Sequence, residues 1–114
     1  IGNLSVLTNL WLYTNKLTGG IPIAIGGLHK LERLYLHDNQ LSGPIPSTIG
    51  NLSVLTGLAL HSNKLTGSIP SEIEQLNKLE WLYLHDNQLS GPIPSTIGNL
   101  SVLTGLALHS NKLT

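Results

Sequence analysis

The sequence predicts a solenoid, a stack of short coils that share one apolar interior and lay a parallel β-sheet along one side. Three observations predict it. Asn15, Asn39, Asn63, Asn87 and Asn111 recur every 24 residues in the 114-residue chain. Each stands in the same frame of leucines, and Gly and Pro follow each at a fixed offset. Self-similarity at a period of this size is the mark of repeat architectures, in which each unit buries its apolar face only against its neighbours.

The first frame is Leu7, Leu10, Leu12, Asn15, Leu17, Gly19, Ile21, Pro22, Ile25, Gly26 and Leu28. The next begins at Leu31 and matches it throughout, and later rounds hold with one lapse, Glu74 in the place of the second glycine. Leu10 and Leu12 alternate with other residues, which predicts a five-residue strand with one buried face. The punctuation in Thr18-Gly19-Gly20-Ile21-Pro22 or Ser42-Gly43-Pro44-Ile45-Pro46 then turns the chain back across the far side. Stacked coils place strands about 4.8 Å apart. An inward asparagine is costly unless bonded. Its amide carries donors and an acceptor, so the column at 15, 39, 63, 87 and 111 predicts a hydrogen-bonded ladder between coils.

The unit LxxLxLxxNxLxGxIPxxIGxL resembles the plant-type (24-residue) leucine-rich repeat, and the resemblance covers the whole chain. It implies a right-handed solenoid with a parallel sheet on the concave face. It also implies short second strands near Gly-x-Ile-Pro and 3₁₀ or loop segments on the convex side. In function it implies extracellular recognition, as in receptor-kinase ectodomains and polygalacturonase-inhibitor-like proteins. Extracellular members usually carry cysteine-bearing caps, and this chain has no cysteine. Disulfides and thiolate metal sites are therefore excluded, while the redox compartment stays open.

Six basic and six acidic residues balance, which leaves no electrostatic footprint for nucleic acid. No apolar run approaches the roughly 20 residues of a membrane span. Ile1 and Thr114 fall inside the repeat, so residues 1–114 read as a single array of about five coils, uncapped at both ends. That predicts either a window from a longer array or ends that stack on other copies. Leu34–Thr66 is identical to Leu82–Thr114, a 48-residue super-repeat that alternates coils as A-B-A-B-A. Recent duplication, consensus design or a demand for a repeating surface all produce such identity.

On the concave face the residues flanking each leucine pair point outward. They are Asn9, Trp11 and Tyr13, then Arg33, Tyr35 and His37, then Gly57, Ala59 and His61. The fourth coil offers Trp81, Tyr83 and His85, and the fifth Gly105, Ala107 and His109. Bulky rows thus alternate with nearly bare ones. Exposed aromatics are typical interface anchors, so Trp11, Tyr13, Arg33, Tyr35, His37, His61, Trp81, Tyr83, His85 and His109 are the candidate binding surface. A protein, peptide or polysaccharide fits such a face; the plainer alternative is that the aromatics only favour strands.

The histidine column at 37, 61, 85 and 109 admits a metal ladder or a pH switch. No carboxylate completes a closed ligand set by spacing, although Asp38 and Asp86 are sequence neighbours, so no metal and no cofactor are expected. Ser62 and Ser110 beside His61 and His109 face away from them at the period of a strand, which argues against a catalytic triad and for a protein that is not an enzyme. Asn3, Asn51 and Asn99 each open an Asn-Leu-Ser acceptor for N-glycosylation, predicted on the convex side of the A coils. Thr18, Ser42, Thr66, Ser90 and Thr114 form a hydroxyl column of the kind that suggests ice binding, yet turn chemistry accounts for it.

The expected function is a non-catalytic extracellular binding scaffold that uses its concave face. The alternative is a structural segment of a longer or head-to-tail self-assembling, N-glycosylated fibre.

Overall fold

The computed structural model describes residues 6–114. Five strands, one per coil, form the main sheet: β1 (Asn9–Trp11), β2 (Arg33–Tyr35), β4 (Gly57–Ala59), β6 (Trp81–Tyr83) and β8 (Gly105–Ala107). They pair in parallel in coil order, and Leu10, Leu34, Leu58, Leu82 and Leu106 stand directly opposite one another. Each strand is three residues long, shorter than the five that alternation predicts. The bonding itself runs further, since Leu36 N–H still donates to Ala59 at 2.9 Å and Asp38 N–H to His61 at 3.1 Å. The ladder breaks at Leu36 O, which accepts the side-chain amides of Asn39 and Asn63 instead of a backbone N–H, and the backbone then turns left-handed at Thr14, Asp38, Ser62, Asp86 and Ser110, with φ of 54 to 57°.

The chain then crosses to the far side. Short second strands, β3 (Ser42–Pro44) with β5 (Lys64–Thr66) and β7 (Ser90–Gly91) with β9 (Lys112–Leu113), pair in parallel there. Gly19, Gly43, Gly67 and Gly91 enter this stretch at φ of 75 to 83°, a region that other residues seldom adopt. Among the described residues four 3₁₀ turns lie on the convex side: η1 (Ile23–Gly27), η2 (Ser47–Asn51), η3 (Ser71–Gln75) and η4 (Ser95–Asn99). Each begins just after a proline, whose fixed φ is already suited to a helical start.

Leucines and isoleucines of successive coils fill the interior between the two sides, among them Ile25, Leu28, Leu31, Leu34, Ile49 and Leu52. The stack is tight enough on the convex side that a Cβ on Gly26 would lie 2.8 Å from the Thr48 carbonyl, and one on Gly50 would lie 2.7 Å from that of Glu72. Glu74 occupies the equivalent place in η3.

Asparagines tie the coils together at the point where strands end. Asn63 Oδ1 accepts from Leu41 N–H of the preceding coil at 3.0 Å, and its amide donates back to Leu36 O at 3.0 Å. The same amide reaches Leu60 O and His61 O of its own coil. Asn39, Asn87 and Asn111 repeat this set, whereas Asn15, among the described residues, donates to Leu12 O and Tyr13 O of its own coil.

Candidate functional site

The register of the main sheet sets three rows of side chains across the concave face. Asn9, Arg33, Gly57, Trp81 and Gly105 form the first row, and Trp11, Tyr35, Ala59, Tyr83 and Ala107 the second. Tyr13, His37, His61, His85 and His109 form the third, two positions further along each coil.

The bulky residues do not stand upright between bare rows. Trp81 lies across two coils, because a Cβ on Gly57 would meet its Cε3 at 3.0 Å and one on Gly105 would meet its Cδ1 at 3.1 Å. Tyr35 leans toward Gly57 and Tyr83 toward Gly105, their hydroxyls 3.1 and 3.0 Å from the same imagined atoms. The glycines are therefore seats for the neighbouring rings, and Tyr35, Trp81 and Tyr83 are half-buried where the sequence suggested open aromatics. Trp11 and Tyr13 remain exposed, at 54% and 45%.

A slot is left in the next row. Tyr35, His37 and His61 with Trp81 and Tyr83 enclose a cleft of about 240 Å³ whose floor is Leu58 and Ala59. Its walls are aromatic and its floor aliphatic, which suits an apolar or planar group presented edge-on. Ala59 is 4% exposed, so the floor is seen only through the space between the rings.

The third row is one continuous stack. Tyr13 lies on His37 with ring centroids 4.7 Å apart and planes 4° apart. His37 to His61 and His61 to His85 follow at 4.4 Å, and His85 to His109 at 4.6 Å. Tyr83 presents its edge to both His61 and His85. Burial pushes His37 and His61 below the ordinary imidazole pKa. For His37 the Asp38 carboxylate opposes this; for His61 the like charges of His37 and His85 add to it. Both rings are thus mainly neutral at neutral pH.

Two features of this face escape sequence reasoning. The left-handed residue after each histidine means that Ser62, at φ 57°, is not part of a strand, so the alternating-face argument does not describe it. The same turn places Asp38 with His37 and His61, their potential ligand atoms all within 4.8 Å of one another, where spacing alone had set the carboxylate apart. The available signal was the change from His-Asp-Asn to His-Ser-Asn between coils.

On the other faces, Asn51 and Asn99 are exposed at the ends of η2 and η4, as are Ser53 and Ser101; Asn3 lies outside the described residues. The hydroxyl column is exposed but staggered, since Ser42 pairs with Lys64, Thr66 with Pro44, and Ser90 with Lys112. Among the described residues no helix is long and apolar enough to cross a membrane.

A family model described as Leucine rich repeat matches residues 45–89, and another, Leucine Rich Repeat, matches residues 6–28 and 30–52. No curated protein matches the chain. Among solved structures, the Arabidopsis receptor kinase HAESA, in complex with the peptide hormone IDA and the co-receptor SERK1, is similar at 41% identity and a TM-score of 0.92. That match covers 98% of this chain and 19% of the neighbour. The leucine-rich-repeat ectodomain of the receptor kinase SOBIR1 from Arabidopsis thaliana is 37% identical at a TM-score of 0.92, covering 98% and 61%. A plant ice-binding protein is 39% identical at a TM-score of 0.93, covering 98% and 36%. The chain thus spans less than two thirds of each of these neighbours. The repeat frame, the stacked parallel strands and these matches together establish that the chain belongs to the plant-type leucine-rich repeat family.

Proposed function

We propose that this array is a non-catalytic extracellular recognition scaffold that holds an extended peptide or a protein loop across its concave face. The observation that carries the reading is the aromatic-walled slot over Ala59. An extended segment offers side chains alternately to one face, and one apolar side chain of it fills the space between Tyr35 and Trp81. Trp11, Tyr13 and Arg33 flank the slot on one side, and Tyr83, His85 and His109 continue the surface on the other. Support also comes from HAESA, which is described with a bound peptide hormone and a co-receptor, and from SOBIR1, described as an ectodomain. That resemblance favours recognition over a self-stacking fibre. In the same reading Asn51 and Asn99 are glycan acceptors on the opposite side, clear of the ligand.

An ice-binding role has less support, because the stagger of Ser42, Thr66 and Ser90 against Lys64, Pro44 and Lys112 breaks the hydroxyl row. The test is a peptide-display selection on the intact chain, repeated on an Ala59→Trp variant that fills the slot. Peptides with a recurring apolar residue should be enriched on the parent and lost on the variant. Equal enrichment on both removes the slot from the function.

A further inference from the structure

The third row holds a cluster whose two imidazoles, His37 and His61, also wall the slot, while the carboxylate of Asp38 does not line it. His37 and His61 stack with planes 12° apart, and each offers a ring nitrogen within 4.8 Å of the Asp38 carboxylate. Backbone geometry accounts for the grouping. Asp38 sits at φ 56°, and its N–H donates to the His61 carbonyl at 3.1 Å, so the carboxylate stays beside the imidazole of the next coil. Nδ1 of His37, of His61 and of His85 is buried and lacks any hydrogen-bond partner, and of these only His37 and His61 share a carboxylate at ligand distance among the described residues. Native proteins rarely carry a buried nitrogen unpaired, and a bound ion is one of the ordinary explanations when they do.

We propose that His37, Asp38 and His61 bind a divalent transition-metal ion, with its remaining positions open to solvent. Two imidazoles and one carboxylate suit copper, nickel, cobalt or zinc, whereas magnesium and calcium prefer all-oxygen sets. Bonds of about 2.0–2.2 Å to both rings require the imidazoles to tilt out of their parallel stack, so loss of stacking accompanies binding.

The repeat supplies its own comparisons. His61 and His85 stack as closely, at 4.4 Å, but the residue after His61 is Ser62, and among the described residues no carboxylate groups with both of these rings at ligand distance. His85, Asp86 and His109 repeat the three residue types with a looser stack, 4.6 Å apart and 20° between planes.

The experiment titrates the intact chain with Cu²⁺, Ni²⁺, Co²⁺ and Mg²⁺ at neutral pH and follows assigned imidazole resonances together with binding heat. Affinity should rise from Co²⁺ to Ni²⁺ to Cu²⁺, with no response to Mg²⁺ and with His37 and His61 shifting together. Asp38→Asn, which keeps a residue tolerant of positive φ, should weaken binding at His37 and His61 about tenfold or more. Adding Ser62→Asp in that background should restore binding, now on His61 and His85, because φ at Ser62 already matches that of Asp38. Unchanged affinity in Asp38→Asn, or no rescue by Ser62→Asp, overturns the proposal; so does an equal response to Mg²⁺.

Discussion

Residues 49–66 and 97–114 are spelled identically, and the fold treats them differently. Leu58 is 1% exposed and Leu106 47%, although both sit at the centre of the same Gly-Leu-Ala strand. A Cβ on Gly50 would strike the Glu72 carbonyl at 2.7 Å, whereas nothing lies within 4 Å of one on Gly98. Within the described residues, 49–66 have a coil on each side and 97–114 a coil on one side. Burial here belongs to the neighbour and not to the residue, as expected of a stack whose stability sums over adjacent pairs.

That contrast breaks or sharpens under substitution. Leu58→Ala should lose about 2–5 kcal/mol, the range for a fully packed leucine. Leu106→Ala should lose less than about 1 kcal/mol, because half its surface is already wet. Urea midpoints measure both, and equal losses would end the comparison. Asn63→Leu should follow, at roughly 1–3 kcal/mol, since the buried Leu41 amide would be left unpaired and the Leu36 carbonyl would keep only the Asn39 amide of its two donors. Asn111→Leu, which frees partners closer to water, should cost less by the same measurement. Acid gives the third contrast. Burial holds His37 and His61 below their ordinary pKa, so the unfolded chain takes up protons first, near about pH 6.5. Stability should therefore be full above that value and fall as pH drops toward the depressed folded values. In metal-free protein His61→Gln should flatten the profile; an identical profile would mean that some other group carries the effect.

The leucine frame made the fold legible because each leucine of the repeat does one job in every coil. The alternation of Leu34 and Leu36 assigned a face, and the Gly and Pro after Asn39 assigned a turn. Strand length was not legible, because the carbonyls of Leu36 and Leu60 bond to asparagine side chains of their own and the next coil instead of to the sheet. The rows of the concave face followed from the same alternation. How Trp81 settles across Gly57 and Gly105 did not, since that depends on space offered by two other coils. The grouping of Asp38 with His37 and His61 was hidden for a related reason, a turn in one coil that aims a side chain at the next.

The asparagine bonds have a consequence for how such a gene changes length. Every cross-coil bond of an asparagine side chain joins residues 22 or 27 positions apart, so gaining or deleting one whole unit leaves these bonds reproducible. A slip of any other size strands a buried amide. A change of one whole coil therefore keeps the asparagine bonds in register, whereas a change by the whole super-repeat also keeps a glycine seat on each side of the tryptophan coil.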